Sequence, residues 1–244
     1  MLMFSVEKHL KGVSLAISAA ALAISAPLVA GVIVKSSGPS AEDFPVGTKV
    51  KDTDRIVLEE GDQVTILNSA GTRELRGPGT FRAGVRGAPQ RATLANLTRQ
   101  GARQRVRPGA TRAGSGEGTR SPNLWYVDVT KSGSMCVPDL QTVFLWRPET
   151  ETEQTFIMRP GTSDYHQHVT FAEGSTVRPV DNERLPLEEG VEYMISGPGG
   201  AVATTVTFTV IDAPTEDAEG MADILIDKGC SLQLDLLSQT LATN

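Results

Sequence analysis

The stretch best suited to chemistry is DYHQHVTFAE, residues 164–173, which carries two of the three histidines in the chain. On a β-strand, where side chains alternate between faces, Asp164, His166 and His168 would point to one side. Two imidazoles and a carboxylate are ligand types for zinc, nickel or iron. With Glu173 as a further ligand, this stretch is a candidate metal site.

The same stretch resembles the first motif of the cupins, β-barrel proteins in which two histidines and a glutamate bind a metal. Gly161, His166, His168 and Glu173 carry the resemblance. No histidine follows His168, so the ligand of a second cupin motif has no counterpart. Two interpretations of the pair stay open, a metal site or exposed polar residues on an edge strand, and the sequence favours the second.

Catalysis by a nucleophile has little support. The sequence contains no G-x-S-x-G segment, and beyond the pair the only histidine is His9 near the N-terminus. The glycine-rich SGPGG, residues 196–200, lacks the lysine and the following helix of a phosphate loop. We therefore expect a protein that is not an enzyme and uses no cofactor.

The N-terminus has the pattern of an export signal. Lys8 and Lys11 precede an uncharged run over residues 12–34, and a basic start before an apolar stretch is typical of secretory leaders. The run also has roughly the 20 residues that a membrane-spanning helix needs. Residues 1–30 are thus expected to be a cleaved signal peptide or, with residues 12–34 in the bilayer, an inner-membrane anchor. Both place the rest of the chain in the periplasm or outside the cell.

Cys136 and Cys230 are the only cysteines. In an exported protein such a pair is more often oxidised than free, so we expect a disulfide that closes a loop over nearly the whole C-terminal half. Neither a C-x-x-C redox motif nor a metal-binding spacing is present. The predicted bond is therefore structural.

Charge is distributed unevenly along the chain. Residues 82–120 contain nine arginines and one glutamate, whereas residues 123–244 contain 19 acidic and six basic side chains. No aromatic residues interrupt the arginines, which argues against nucleic-acid binding. The segment is either a solvated linker that folds onto the acidic part, a contact with an anionic membrane or cell-wall polymer, or a processing site. Its candidate contact residues are Arg99, Arg103, Arg105 and Arg107.

The elements that carry these residues are mostly short strands. GVIVKSSG and DRIVLEEGDQVTILN predict strands between turns, and Val64 and Ile66 alternate with Thr65 and Leu67. The order FPVGTKVKDTDRIVLEEGDQVTILNSAGTRELRGPGTF resembles FecR-type periplasmic domains. That resemblance implies an exported β-rich interaction module. FecR-like regulators carry a cytoplasmic anti-sigma segment before a transmembrane helix; because only eleven residues precede the apolar run here, we do not expect the resemblance to include sigma-factor control.

The second half predicts an antiparallel β-sandwich of the immunoglobulin-like kind. LEEGVEY, residues 187–193, resembles the tyrosine corner of such sandwiches, and Trp125 and Trp146 are expected in the core. A helix capped by Thr215 and ended by Gly229 should follow, and then a second short helix or an amphipathic tail. Six segments predict strands: LWYVDVT, QTVFLWRP, EQTFIMRP, YHQHVTFAE, VEYMISG and VATTVTFTVID.

These patterns predict a mostly β protein in four parts. They are a leader or anchor (1–30), a FecR-like β-module (31–82), an arginine-rich linker with a short helix bearing Leu94 and Leu97 (83–122), and a sandwich with C-terminal helices (123–244). We expect a non-catalytic envelope protein that binds an envelope protein partner as a sensory or assembly module. Metal binding through the histidine pair and glycan binding through the tryptophans or arginines are the alternatives. Contact candidates in the module are Arg73, Glu74 and Arg76.

Overall fold

The computed structural model describes residues 31–84, 88–99, 120–161, 163–200, 202–212 and 215–242. These residues form a mostly β structure, as the sequence predicts. In chain order the strands are β1 (Gly31–Ser37), β2 (Lys49–Val50), β3 (Arg55–Leu58), β4 (Gln63–Asn68), β5 (Gly71–Arg76), β6 (Gly79–Arg82), β7 (Tyr126–Asp128), β8 (Gly133–Val137), β9 (Phe144–Trp146), β10 (Gln154–Pro160), β11 (Gln167–Phe171), β12 (Val177–Pro179), β13 (Glu192–Ser196) and β14 (Thr204–Val210). The helices are α1 (Arg91–Leu97), α2 (Ala218–Asp227) and α3 (Ser231–Thr240).

The first sheet has the strand order β2-β1-β4-β5, with antiparallel pairing throughout. Strands β3 and β6 pair with each other as a separate two-stranded ribbon. The strands predicted from GVIVKSSG and DRIVLEEGDQVTILN are therefore confirmed. Strands β3 and β4 follow one another in the sequence but belong to different sheets.

The buried Asp62 fixes the turn between β3 and β4. Its carboxylate accepts hydrogen bonds from the backbone N–H groups of Ser40 and Glu59, which ties this turn to the loop after β1. These donors, that of Ser40 above all, hold the pKa of Asp62 below its ordinary value because they stabilise the charged form. Gly61 has φ +88°, a left-handed conformation that favours glycine.

Both faces of the first sheet are buried. Ile33, Val64 and Ile66 pack with residues of the ribbon in one hydrophobic cluster. Side chains alternate along a strand, so Val32 and Leu67 lie on the opposite face, where they pack with the helices in a second cluster. The period-two pattern is confirmed, and it belongs here to the middle layer of three.

The helices supply the third layer. Helix α1 buries Leu94 and Leu97 in the same cluster as Val32, as predicted. Helices α2 and α3 also join that cluster; both contact β1, and α3 also contacts β8. The residues at 215–242 therefore pack between the two β parts.

Helix α2 begins two residues later than predicted. Its N-cap is Asp217, whose carboxylate accepts a 2.9 Å hydrogen bond from the N–H of Gly220. The predicted cap, Thr215, instead donates its hydroxyl to Asp217 at 2.8 Å. The predicted stop is confirmed, since Gly229 has φ +70° between α2 and α3.

The remaining strands form two sheets around another core. Their orders are β11-β10-β13-β14-β8 and β12-β9-β7, and Leu145, Phe171 and Tyr193 represent both sheets in one buried cluster. All six predicted strands are present, together with β8 and β12. The expectation of a wholly antiparallel arrangement is wrong, because β8 pairs with β14 and β7 with β9 in parallel. In both pairs the intervening chain exceeds the roughly dozen residues that a parallel crossover needs.

The disulfide between Cys136 and Cys230 is confirmed. It joins β8 to the residue before α3, with a Cα–Cα distance of 5.9 Å, and both half-cystines are fully buried. A second connection closes the molecule near its C-terminal end, where the N–H of Thr72 on β5 donates to the carbonyl of Leu241 at 2.8 Å. The two β parts are thus linked by covalent and hydrogen bonds through the helices.

Within the described ranges no helix is long and apolar enough to cross a membrane. The predicted leader at 1–30 lies outside the described residues, as does most of the proposed anchor at 12–34. The end of that run belongs to a strand, because Val32 and Ile33 pair with Leu67 and Ile66.

Candidate functional site

The histidine pair lies at the start of β11, the edge strand of the five-stranded sheet. His166 and His168 are exposed, and their ring centroids are 5.1 Å apart. The Nδ1 atom of His166 lies 2.9 Å from the carbonyl oxygen of Asp164. The structure therefore brings the two imidazoles together, as the sequence predicts.

The predicted four-residue metal set is not assembled. Strand β11 begins only at Gln167, so Asp164 precedes the strand and contributes its carbonyl rather than its carboxylate to His166. Glu173 lies in the turn at the other end of β11, separated from His168 by about 17 Å of extended chain. Among the described residues no group of three or more histidine, cysteine, aspartate or glutamate side chains could hold a metal ion. The cupin-like ligand set is therefore wrong.

The charged residues of β5 have two different environments. Glu74 and Arg76 are exposed on this edge strand and form an ion pair at 3.0 Å, which raises the pKa of Arg76. Arg73 is half-buried and turns toward the ribbon, where its Nη1 donates to the carbonyls of Arg82 and Gly84, each at 2.9 Å. Arg73 thus fixes the end of β6, whereas Glu74 and Arg76 remain available for contact.

The outer face of the ribbon was not anticipated from the sequence. Arg55 lies directly opposite Arg82, and Val57 lies opposite Thr80. All four side chains are exposed, Val57 to 58%. Neither Arg55 nor Arg82 has an ion pair within the part of the chain that the structure describes. We call these four residues the ribbon face. The alternation of side chains along β3 predicts that Arg55 and Val57 point outward. Which residues of β6 lie opposite them depends on the register of the strand pair, which the sequence does not specify.

Of the contact candidates in the arginine-rich segment, only Arg99 is described; Arg103, Arg105 and Arg107 lie outside the described residues. The side chain of Arg99 is exposed and bonds to Asn96. Its carbonyl accepts a 2.9 Å bond from the side chain of Asn123. Arg99 and Asn123 are therefore neighbours in the fold although they are 24 positions apart in the sequence.

Trp125 and Trp146 are both buried, as predicted for core residues. The indole N–H of Trp125 donates to the carbonyl of Thr98 at 2.8 Å. Stacking on a sugar requires an exposed ring face, so the glycan-binding alternative through these tryptophans is wrong. Trp125 instead belongs to the cluster that packs the helices against β1, and Trp146 is a buried residue of β9.

A buried arginine, Arg147, was also missed. Its guanidinium donates to the carbonyls of Ala172 and Ser175 at 2.9 and 3.0 Å and lies 5.2 Å from the ring centroid of Phe171. Burial lowers its pKa. It joins the end of β9 to the turn after β11 and has no carboxylate ion pair among the described residues. No sequence pattern distinguishes it from an exposed arginine.

No protein-family model matches this chain, and a search of curated proteins finds no relative.

Proposed function

We propose that this chain is an exported, non-catalytic envelope protein that binds another envelope protein through the ribbon face. The observation that carries the proposal is the pairing of Arg55 with Arg82 beside the exposed Val57. Like charges directly opposite each other destabilise a two-stranded pair. A partner that places a carboxylate between the two guanidiniums would relieve that repulsion and bury Val57.

The chemistry of this face indicates an acidic partner segment with an apolar residue beside it. Arginine forms bidentate bonds to carboxylates, and apolar contact at the centre of a patch supplies much of the binding energy at protein interfaces. Arg73 donates hydrogen bonds to the carbonyls of Arg82 and Gly84 and so fixes the backbone of the strand that carries Arg82. Glu74 and Arg76 point to the opposite side of β5 from Arg73 and are not part of the ribbon face.

The buried disulfide supports an oxidising compartment. Structural disulfides persist in the periplasm and outside cells and are rare in reducing cytosol. The basic leader sequence agrees with that location. We therefore assign the chain to the periplasm or the cell exterior, either released after cleavage or anchored by the apolar run.

The proposed architecture is a FecR-like module joined to an immunoglobulin-like sandwich. The hydroxyl of Tyr193 accepts a 2.8 Å bond from the N–H of Glu188 and donates to the carbonyl of Pro186 at 3.3 Å. A tyrosine that bonds back to backbone a few residues upstream is the tyrosine corner of such sandwiches. The strand order β11-β10-β13-β14-β8 agrees with this assignment. Both assigned folds serve as rigid interaction scaffolds.

The experiment is photo-cross-linking of the full chain in its native envelope. A photoreactive residue replaces Thr80 in the ribbon face, and a second preparation carries it at Glu183, exposed in the second β part, as a position control. We expect one specific adduct from position 80 and none from position 183. The substitutions Arg55→Glu and Arg82→Glu should abolish that adduct, whereas Arg178→Glu, the same change of charge on β12 of another sheet, should leave it intact.

Two results would contradict the proposal. One is a position-80 sample without a specific adduct in cells that contain the folded, oxidised chain. The other is an adduct that persists when Arg55 and Arg82 are reversed in charge, since the contact would then not depend on the guanidiniums.

A further inference from the structure

The histidine pair is the only place in the described residues where two soft or borderline metal ligands meet. The chain has three histidines, of which His9 lies in the leader. Both cysteines are held in the disulfide, so neither offers a thiolate. For a divalent transition metal that prefers imidazole, His166 and His168 are therefore the one pair of neighbouring ligands among the described residues.

The backbone prepares one ring of this pair. The Nδ1 atom of His166 lies 2.9 Å from the carbonyl oxygen of Asp164, and a carbonyl can only accept a hydrogen bond. The neutral ring therefore carries its proton on Nδ1 and keeps the lone pair of Nε2 for a metal. A ligating histidine in metalloproteins commonly has its second nitrogen bonded in this way.

The second ring lies within chelating reach. The ring centroids are 5.1 Å apart and the planes are inclined by 46°. Metal–nitrogen bonds of about 2.0 to 2.1 Å allow two rings at this separation to ligate one ion after small side-chain rotations. Both rings are exposed, so water can fill the remaining coordination positions.

Nearby positive charge is directed elsewhere. The guanidinium of Arg159, on the strand paired with β11, donates to the sulfur of Met194 at 3.4 Å, on the side away from β11. Arg178 donates to the carbonyl of Thr170, near the other end of β11. Neither side chain occupies the position between the two imidazoles.

We propose that His166 and His168 form an exchangeable two-imidazole binding site for a divalent transition metal, with Cu²⁺ bound more tightly than Ni²⁺ or Zn²⁺. The order follows the general affinity series for nitrogen ligands. With two protein ligands the site differs from the closed four-ligand centres of structural zinc and from the cupin set. It is also independent of the ribbon face.

The test is a titration of the oxidised full-length chain with CuCl₂, NiCl₂ and ZnCl₂, each followed by calorimetry, with electron paramagnetic resonance for Cu²⁺. We expect one Cu²⁺ per chain and hyperfine coupling from two imidazole nitrogens. His166→Ala and His168→Ala should each weaken Cu²⁺ binding by about tenfold or more. His9→Ala is the matched control and should leave the affinity unchanged.

The two rings are exposed, so both alanine variants should retain the wild-type circular dichroism spectrum and urea midpoint. Unchanged Cu²⁺ affinity in the double variant His166→Ala/His168→Ala would overturn the proposal. So would loss of binding in His9→Ala, which would place the ion at the leader, or a spectrum with a single imidazole nitrogen.

Discussion

Gln233 provides the sharpest test of how the two β parts are joined. This side chain of α3 is 2% exposed. Its Oε1 accepts from the N–H of Cys136 at 2.7 Å, and its Nε2 donates to the carbonyls of Cys136 and Leu124, each at 2.8 Å. The carboxamide thus hydrogen-bonds to both the N–H and the carbonyl of Cys136, as the peptide group of a neighbouring strand would. It does so on the side of β8 that has no strand partner.

Gln233→Leu should destabilise the protein by about 3 to 9 kcal/mol. The leucine is similar in size but leaves one N–H and two carbonyls buried without partners, and each such group costs about 1 to 3 kcal/mol. In a parallel ladder the N–H and carbonyl of one residue point to the same side, so Cys136 cannot turn these groups to β14. The loss is a large part of the roughly 5 to 15 kcal/mol that holds a typical domain folded.

The assay is urea unfolding of the oxidised protein, followed by the fluorescence of its two tryptophans. With a urea slope of about 2 kcal/mol per molar, the midpoint should fall by about 1.5 M or more. Gln239→Leu is the matched control, because Gln239 is exposed on the same helix. Equal midpoints for the two variants would refute the peptide-like role of Gln233.

Three further predictions concern other stabilising contacts. Removing the disulfide by Cys136→Ala/Cys230→Ala should cost about 4 to 5 kcal/mol in the chain-entropy model for a separation of 94 residues, and a urea midpoint equal to that of the oxidised wild type would contradict it. Tyr193→Phe removes both hydroxyl bonds of the corner and should cost about 1 to 3 kcal/mol, whereas Tyr165→Phe, at a residue 57% exposed, should leave the thermal midpoint unchanged. Because the pKa of Asp62 is lowered in the folded state, its stabilising effect is present above the ordinary value of 3.8 and is lost as the pH falls through the folded-state pKa. Asp62→Asn should therefore flatten the acid limb of a stability–pH curve below about pH 4, and an unaltered limb would count against this role.

The strands that sequence predicts correctly are those with local signals. β4, β10 and β14 combine alternating apolar residues with glycine or proline turns. Strands β8 and β12 were missed as separate strands, since GSMCV begins with glycine and VRP has only three residues. Which strands pair is a different matter. In the sequence one strand intervenes between β7 and its parallel partner β9, and five intervene between β8 and its partner β14; no local pattern specifies such partners.

The candidate sites follow the same division. The proximity of His166 to His168 follows from their spacing, and the structure places their rings 5.1 Å apart. The exclusion of Asp164 and Glu173 depends on where β11 begins and ends, which a single sequence defines poorly. The opposition of Arg55 and Arg82 depends on the register between segments 27 positions apart, as the pairing shows. The ends of β11 and the register of β3 with β6 both depend on pairing with strands elsewhere in the sequence.

The middle position of the first sheet has a consequence for the order in which the chain can mature. The face formed by Val32 and Leu67 is covered by α2 and α3, and the contact of Ser69 with Glu219 spans 150 residues of sequence. In a chain that crosses a membrane N-terminus first, the part of this apolar face that α2 and α3 cover would stay exposed for the whole passage, because these helices are the last part to arrive. Such long-range closure makes folding slow. The first sheet is therefore the part of the nascent protein for which a holding chaperone would matter most.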